Sequence, residues 1–319
     1  MRRAALALAA LALLTLPYWI GGPYYVNIAS QVLIWAIFAL GLNVLVGYGG
    51  LVSLGHAGLF GTAAYAAAWL VAAGAGQLAG GLGALLLTLL MSALSAVLAL
   101  RATGIGFLMI TLALGQILWG IAYRSISLTN GDNGIALSAR PMPLGFSLET
   151  PGAFYIATLV AFALAVAAMA RFVASPFGAS LRGTRDQPRR MTALGYDVWL
   201  IRFLAFLFSG FWTGVAGLLF CYYEQFVSPH LLALSSSAEV LLMVISGGSG
   251  TLLGPVVGAA LVVVMKNVAS AYIERWNLVL GAIFVAIIVL MPEGLVPGIQ
   301  RLWRWARRRY GLAAAGASR

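Results

Sequence analysis

The chain has 319 residues, of which 62% are hydrophobic and only 8% charged, where soluble domains carry about a quarter charged. That balance excludes a soluble globular protein, and apolar runs near the roughly 20 residues needed to cross a bilayer point to an all-α polytopic membrane protein. The net charge of +11 does not indicate nucleic acid: the basic residues form no stripe on a soluble module and match the cytoplasmic Arg and Lys excess that orients membrane proteins.

Arg2 and Arg3 precede an apolar run, Ala4 to Ile20, that has the charge and length of a signal peptide. Pro17, Tyr18 and Trp19 are bulky where a cleavage site needs small residues, so an uncleaved first span is expected. Further spans are expected at about 28–46, 56–73, 82–100, 105–123, 153–171, 200–221, 236–247, 251–270 and 278–291, or about ten crossings. Two of these, around Gly247, are short enough to be re-entrant or broken. The whole reads as one transmembrane domain, residues 1–310, with a short tail at 311–319.

The interval from Phe172 to Trp199 must lie in water. It carries Arg182, Arg185, Asp186, Arg189 and Arg190, and its middle reads as a short helix, Gln187 to Leu194. Pro188 suits the first turn and Gly195 the position just past the end.

Charge sets the expected orientation. With the N-terminus and this interval cytoplasmic, fifteen basic residues fall inside and four (Arg124, Arg140, Lys266 and Arg275) outside. An even number of spans puts both termini in the cytoplasm, and the basic tail RLWRWARRR agrees. The longest outer connection, Arg124 to Thr150, is either a surface loop or a docking surface for a soluble partner.

Two glycine-rich elements occupy similar places in the two halves, GLNVLVGYGGLVSLGHAGLFGTAAY from Gly41 and VISGGSGTLLGPVVGAAL from Val244. They read either as tight helix packing with a short turn or as breaks that expose backbone to a cavity. His56, just after the first cluster, is either hydrogen-bonded structure or a polar pathway group. It has no second His, Cys or acid spaced to make a metal site. Glu239 and Lys266 lie within apolar spans or near their outer ends. The single cysteine, Cys221, reads as a small packing residue. No P-loop, HExxH, CxxC or GxSxG is present, so the chain is not expected to be an enzyme or to bind a cofactor.

Taken in order, several stretches make the chain resemble the permease subunits of bacterial branched-chain amino acid ABC transporters, the LivM-type branch in particular. They are GLNVLVGYGGLVSLGHAGLFGTAAY, ATGIGFLMITLALGQILWG with LTNGDNGI, RDQPRRMTALGYDVWLIRFLAFLFSGFWTGVAGLL, SPHLLALSSSAEVLLMVISGGSGTLLGPVVGA and LMPEGLVPG, and they fall within residues 28–300. The resemblance implies an importer permease architecture in the bacterial inner membrane. It implies a paralogous permease subunit, two ATP-binding subunits that hydrolyse ATP, and an extracytoplasmic substrate-binding protein. It makes the central interval a coupling segment that docks on the ATPase, with Arg185, Asp186, Arg189, Arg190, Ala193, Leu194 and Gly195 as the candidate contacts. The family's acid–alanine pair is missing there, and Pro188 departs from its pattern.

On the same resemblance, Asn43, Ser53, His56, Thr111, Gln116, Ser246 and Gly247 are candidates for the pathway. Asn130, Asp132 and Asn133, with the loop after Cys221, are candidates for binding-protein docking. Alternatives are an importer of urea, short amides or another small polar metabolite, a secondary transporter driven by an ion gradient, and a membrane-embedded enzyme.

Overall fold

The structure, a computed structural model, describes residues 22–137, 148–272 and 275–301. The expected first span, Arg140, Glu274 and the basic tail beyond Arg301 lie outside them. Nine helices of fourteen or more residues occupy the described intervals where spans are expected. In chain order these include α1 (Pro23–Asn43), α2 (His56–Ala72), α3 (Gln77–Ala99), α4 (Ile105–Arg124) and α5 (Pro151–Ala174). Two short helices, α6 (Pro176–Asp186) and α7 (Pro188–Ala193), precede α8 (Val198–Glu224), α9 (Leu234–Gly247), α10 (Gly254–Tyr272) and α11 (Trp276–Leu290). Among the described residues, five helices are long and apolar enough to cross a membrane, and a sixth joins them if Leu278–Leu290 and Leu295–Arg301, bent by 42°, form one span.

The side-chain pattern of α3 shows what surrounds the bundle. Its exposed stripe is leucine (Leu82, Leu86, Leu90 and Leu94), while the face turned inward is Gly80, Ala84, Thr88, Ser92, Ala96 and Ala99. Large apolar groups outside and small residues inside is the arrangement expected where lipid tails, not water, bathe the outer face and close backbone approach holds helices together. The opposing face of α8 is glycine at i, i+4 and i+7. A Cβ on Gly210 would collide with Ser92, one on Gly214 would press Thr88, and one on Gly217 would overlap the Phe60 carbonyl of α2.

Apolar on every face, α1 takes the interior position. From Leu33 to Leu45 every side chain is buried, enclosed by α5, α8, α9 and α10. Trp35, Phe38, Phe60 and Phe220 join α1, α2 and α8, with the Phe38 and Phe60 rings stacked at 4.7 Å.

Two pairings define the ends of the bundle. At one end, past α4 and α8, β1 (Ile135–Ala136) pairs antiparallel with β2 (Phe226–Val227), Ile135 opposite Val227. At the other lie the turns after α1 and α9, together with α6 and α7. The expected helix Gln187–Leu194 is found as α7, and α6 was not anticipated. Ser175 caps α6 by accepting from the Gly178 N–H at 3.2 Å, and only Gly178, Leu181 and Thr184 are buried. A stretch with so few apolar residues carries no span signal and reads as loop.

Candidate functional site

After Asn43 the α-helix loosens into one π-helical turn, Val44–Tyr48, before a non-helical stretch leads to α2. Such turns divert backbone hydrogen bonds and recur at functional sites. Here the Gly49 and Leu51 N–H groups reach back to the Val44 and Leu45 carbonyls. The second glycine element breaks between α9 and α10, and the two breaks meet. Asn43, fully buried, donates from Nδ2 to the Thr251 carbonyl at 2.9 Å and accepts the Gly250 N–H on Oδ1 at 2.9 Å. Gly47 lies so close that a Cβ would collide with the Gly250 backbone. Thr251 then starts α10, accepting the Gly254 N–H at 3.0 Å and donating to the Gly248 carbonyl at 2.8 Å.

The contacts of both glycine elements fit the close-packing reading. Gly247, Gly254 and Gly258 serve close packing, because a Cβ on any of them would meet backbone of the facing segment. Gly47 and Gly250 form the contact between two breaks.

His56 is structural as well as central. Ser53 Oγ lies 2.8 Å from its Nδ1, and Ser209 Oγ lies 3.0 Å from its Nε2. Ser209 gives its one proton to the Gly41 carbonyl at 2.6 Å, so it accepts from the imidazole, and the network assigns the proton to Nε2. Ser53 then donates to Nδ1 while accepting the Gly55 N–H at 3.4 Å. Thr111 accepts the Leu54 N–H at 3.3 Å, and Ser237 accepts the Ala57 N–H at 3.1 Å. Three helices thus grip the segment between the π-turn and α2.

Of the pathway candidates, Ser53, His56 and Thr111 come together in this bracing, and Asn43 stands apart in the clamp on Gly250 and Thr251. The void beside Ser53 and Thr111, about 10 Å³, has room for about one water. Gln116 stands apart, half-buried on α4. Ser246 is buried and donates to its own helix at Met243. A larger space, about 640 Å³, opens between α2, α3 and α4, lined by Tyr65, Trp69, Leu86, Leu118 and Ile121 among others. Its walls are almost wholly apolar.

The charged elbow divides into an inward and an outward part. Thr184 and Arg185 face the bundle: Arg202 Nη2 of α8 donates to the Thr184 carbonyl at 2.8 Å, and Arg185 Nη1 donates to the Gly47 carbonyl. Asp186, Arg189, Arg190, Ala193, Leu194 and Gly195 are all exposed, with Leu194 65% accessible. Gly195 has φ +86°, and with the Tyr196 N–H bonded to the Met191 carbonyl it ends α7 in a left-handed cap.

At the opposite end Asn130 adopts φ 60° and donates to the Gly134 carbonyl at 3.1 Å, shaping a loop whose Asp132 and Asn133 are exposed. The β1–β2 pair brings this loop beside Phe226–Val227. Cys221 lies within α8, which runs on to Glu224, so the neighbouring loop starts a turn later than the cysteine. Lys266 and Glu239 face each other at 3.5 Å, and Asn267 donates to Gln31 at 3.0 Å. These pairs, between α9, α10 and α1, were not matched from sequence.

A lipid-facing bundle whose core helices are interrupted at paired glycine breaks, carrying a water-facing elbow at one end, defines a polytopic helical membrane protein. The family described as "Branched-chain amino acid transport system / permease component" matches residues 24–288. The chain belongs to that family, whose members are transport subunits. The high-affinity branched-chain amino acid transport system permease protein LivM of Salmonella typhimurium is 30% identical over 302 residues, covering 85% of this chain and 70% of the relative. LivM of Escherichia coli is 28% identical over 305 residues, with the same coverage. LivH of Salmonella typhimurium is 21% identical over 296 residues, covering 82% of this chain and 91% of its own. No solved structure matches.

Proposed function

We propose that this chain is the LivM-like permease of an ATP-driven importer of branched-chain amino acids, forming half of the translocation pathway beside a LivH-like paralogue. Family membership and the two named relatives support that reading. About ten helices cross the bacterial inner membrane with both termini in the cytoplasm, so the elbow faces inward and the β1–β2 ledge outward. A binding protein delivers the amino acid at the ledge, against Asp132 and Asn133. Two separate subunits hydrolyse ATP, and their closure is received by α7.

The observation that carries the coupling role is the exposure of α7. Arg189 and Arg190 are exposed on a helix with no buried residue, and Leu194, just past its end, is exposed beside them; together they offer a basic surface with one apolar group that suits docking. A gradient-driven mechanism is disfavoured because Glu239, an acid inside an apolar helix, is already paired with Lys266.

Replacing Arg189 and Arg190 together by Glu tests the assignment. The variant inserts normally, loses ATPase subunits on copurification in mild detergent, and no longer supports uptake. Uptake at the parental rate would remove α7 from the coupling interface.

A further inference from the structure

One polar side chain of the elbow reaches the first glycine break. The stem of Arg185 lies across Gly50, where φ is +66° and a Cβ would stand only 2.7 Å from Arg185 Cγ. Its guanidinium donates to the Gly47 carbonyl. The N–H four residues beyond Gly47, that of Leu51, bonds the Leu45 carbonyl instead, so the π-turn diverts the regular helical donor and Arg185 takes the acceptor. The same guanidinium lies beside Gly250, whose N–H is held by Asn43. A single cation thus bonds the first break directly and stands near the second, where a Cβ added to Gly250 would lie 3.9 Å from Arg185 Nη1.

The surroundings suit transmission as well as attachment. Arg185 is the penultimate residue of α6, and α7 begins two residues after Asp186. Displacement of α7 therefore reaches Arg185 through two intervening residues, alongside the packing of Met191 at Gly183. Its side chain is 50% exposed and its Nε lies 3.8 Å from Asp186 Oδ1, while Leu181 and Thr184 of the same helix are buried against the bundle. Gly50 and Gly47 are shaped around it, because added side-chain atoms would displace the stem or separate the breaks. Arginine suits such a contact, since its rigid fork of donors holds direction where a lysine ammonium does not.

We infer that Arg185 is the positioning residue through which movement of the coupling segment is passed to the two glycine breaks, and not a contact to the ATPase surface. This inference rests on the coupling role proposed above for α7. It separates two functions within the elbow: α7 receives the partner, and Arg185 hands the motion on.

The test is the complex of this chain with its permease and ATPase partners, reconstituted in vesicles with the binding protein. Uptake and ATP hydrolysis are measured for the parent, R185Q and R185K. In R185Q the ATPase copurifies at the parental level and hydrolysis continues. Uptake falls about tenfold, within the range usual for loss of a coupling contact, so ATP consumed per amino acid rises by that factor. R185K lies between the two. An unchanged ratio in R185Q overturns the inference, as does a parallel fall of uptake and hydrolysis with a lowered melting temperature, which marks a merely structural bond. Should R185Q fail to accumulate, R185K decides by the same ratio. Absence of ATP-driven uptake in the parent complex overturns the functional reading itself, and the role of Arg185 with it.

Discussion

Asn43→Ala removes the clamp between the two glycine breaks. The asparagine holds one backbone N–H and one backbone carbonyl, both at 2.9 Å, on a loop 207 and 208 residues away. In water-soluble cores, orphaning a buried polar group costs about 1–3 kcal/mol, which gives roughly 2–6 for the pair. Interhelical hydrogen bonds measured within membranes average only about 0.6 kcal/mol, because the unfolded chain finds other partners there. Two such bonds set a floor of about 1 kcal/mol. The value falls between these limits, since Gly250 and Thr251 lie in a non-helical turn with no helical partner to fall back on, yet are only part-buried. Asn43→Ala is therefore expected to destabilise by about 2–4 kcal/mol, lowering the midpoint of thermal unfolding in mild detergent by about 4 °C or more. Asn43→Asp keeps the acceptor for Gly250 and sets an oxygen against the Thr251 carbonyl, so it is no better than Ala. A midpoint within about 1 °C of the parent for Asn43→Ala would show that the loop is held by Gly47 and Thr251 packing alone.

Gly217→Leu drives a side chain into the Phe60 carbonyl and is expected to prevent accumulation of monodisperse protein on size exclusion, whereas Gly120→Leu, facing open space, leaves the profile unchanged. His56→Phe strips Ser53 and Ser209 of one partner each but leaves both with a backbone bond, so the loss is about 1 kcal/mol, readable as a small fall in the same melting midpoint. Leu194→Ser removes an exposed apolar group just past the end of α7; copurifying ATPase falls while the melting midpoint stays at the parental value. At the other end, Asp132→Arg lowers uptake driven by the binding protein without altering ATPase association, while Asn130→Ala also loosens the loop, as increased protease cleavage between β1 and α4 would report.

The helix positions were legible because apolar runs of bilayer length are unmistakable in a chain so poor in charge. The short helix α7 was legible from Pro188 and Gly195, which bracket it at the positions those residues favour. The neighbouring helix α6 was not, since its pattern of buried Gly178, Leu181 and Thr184 is too sparse to stand out from loop. His56 could be seen as a polar group near a break, and Ser53, three residues earlier, was within reach of inspection. Ser209 was not, being 153 residues away. For the same reason the meeting of Asn43 with Gly250 was illegible: each glycine cluster announces a break, and nothing local says that the breaks touch. The direction of Arg185 likewise depends on a carbonyl freed 138 residues earlier, so its sequence context assigned it to the elbow's outer surface along with Arg189 and Arg190.

The interior position of α1 also sets an order of events during synthesis. Among the described residues, its cross-element hydrogen bonds, and those of the π-turn that extends it, go to partners between 138 and 236 residues further on. At roughly 5–20 residues per second, Thr251 leaves the ribosome about 10–40 s after Asn43. For that interval one of the first helices to enter the bilayer holds an unanswered amide near its end and presents to lipid the faces that α8, α9 and α10 later cover. Made early, this helix waits for partners made as many as 236 residues later.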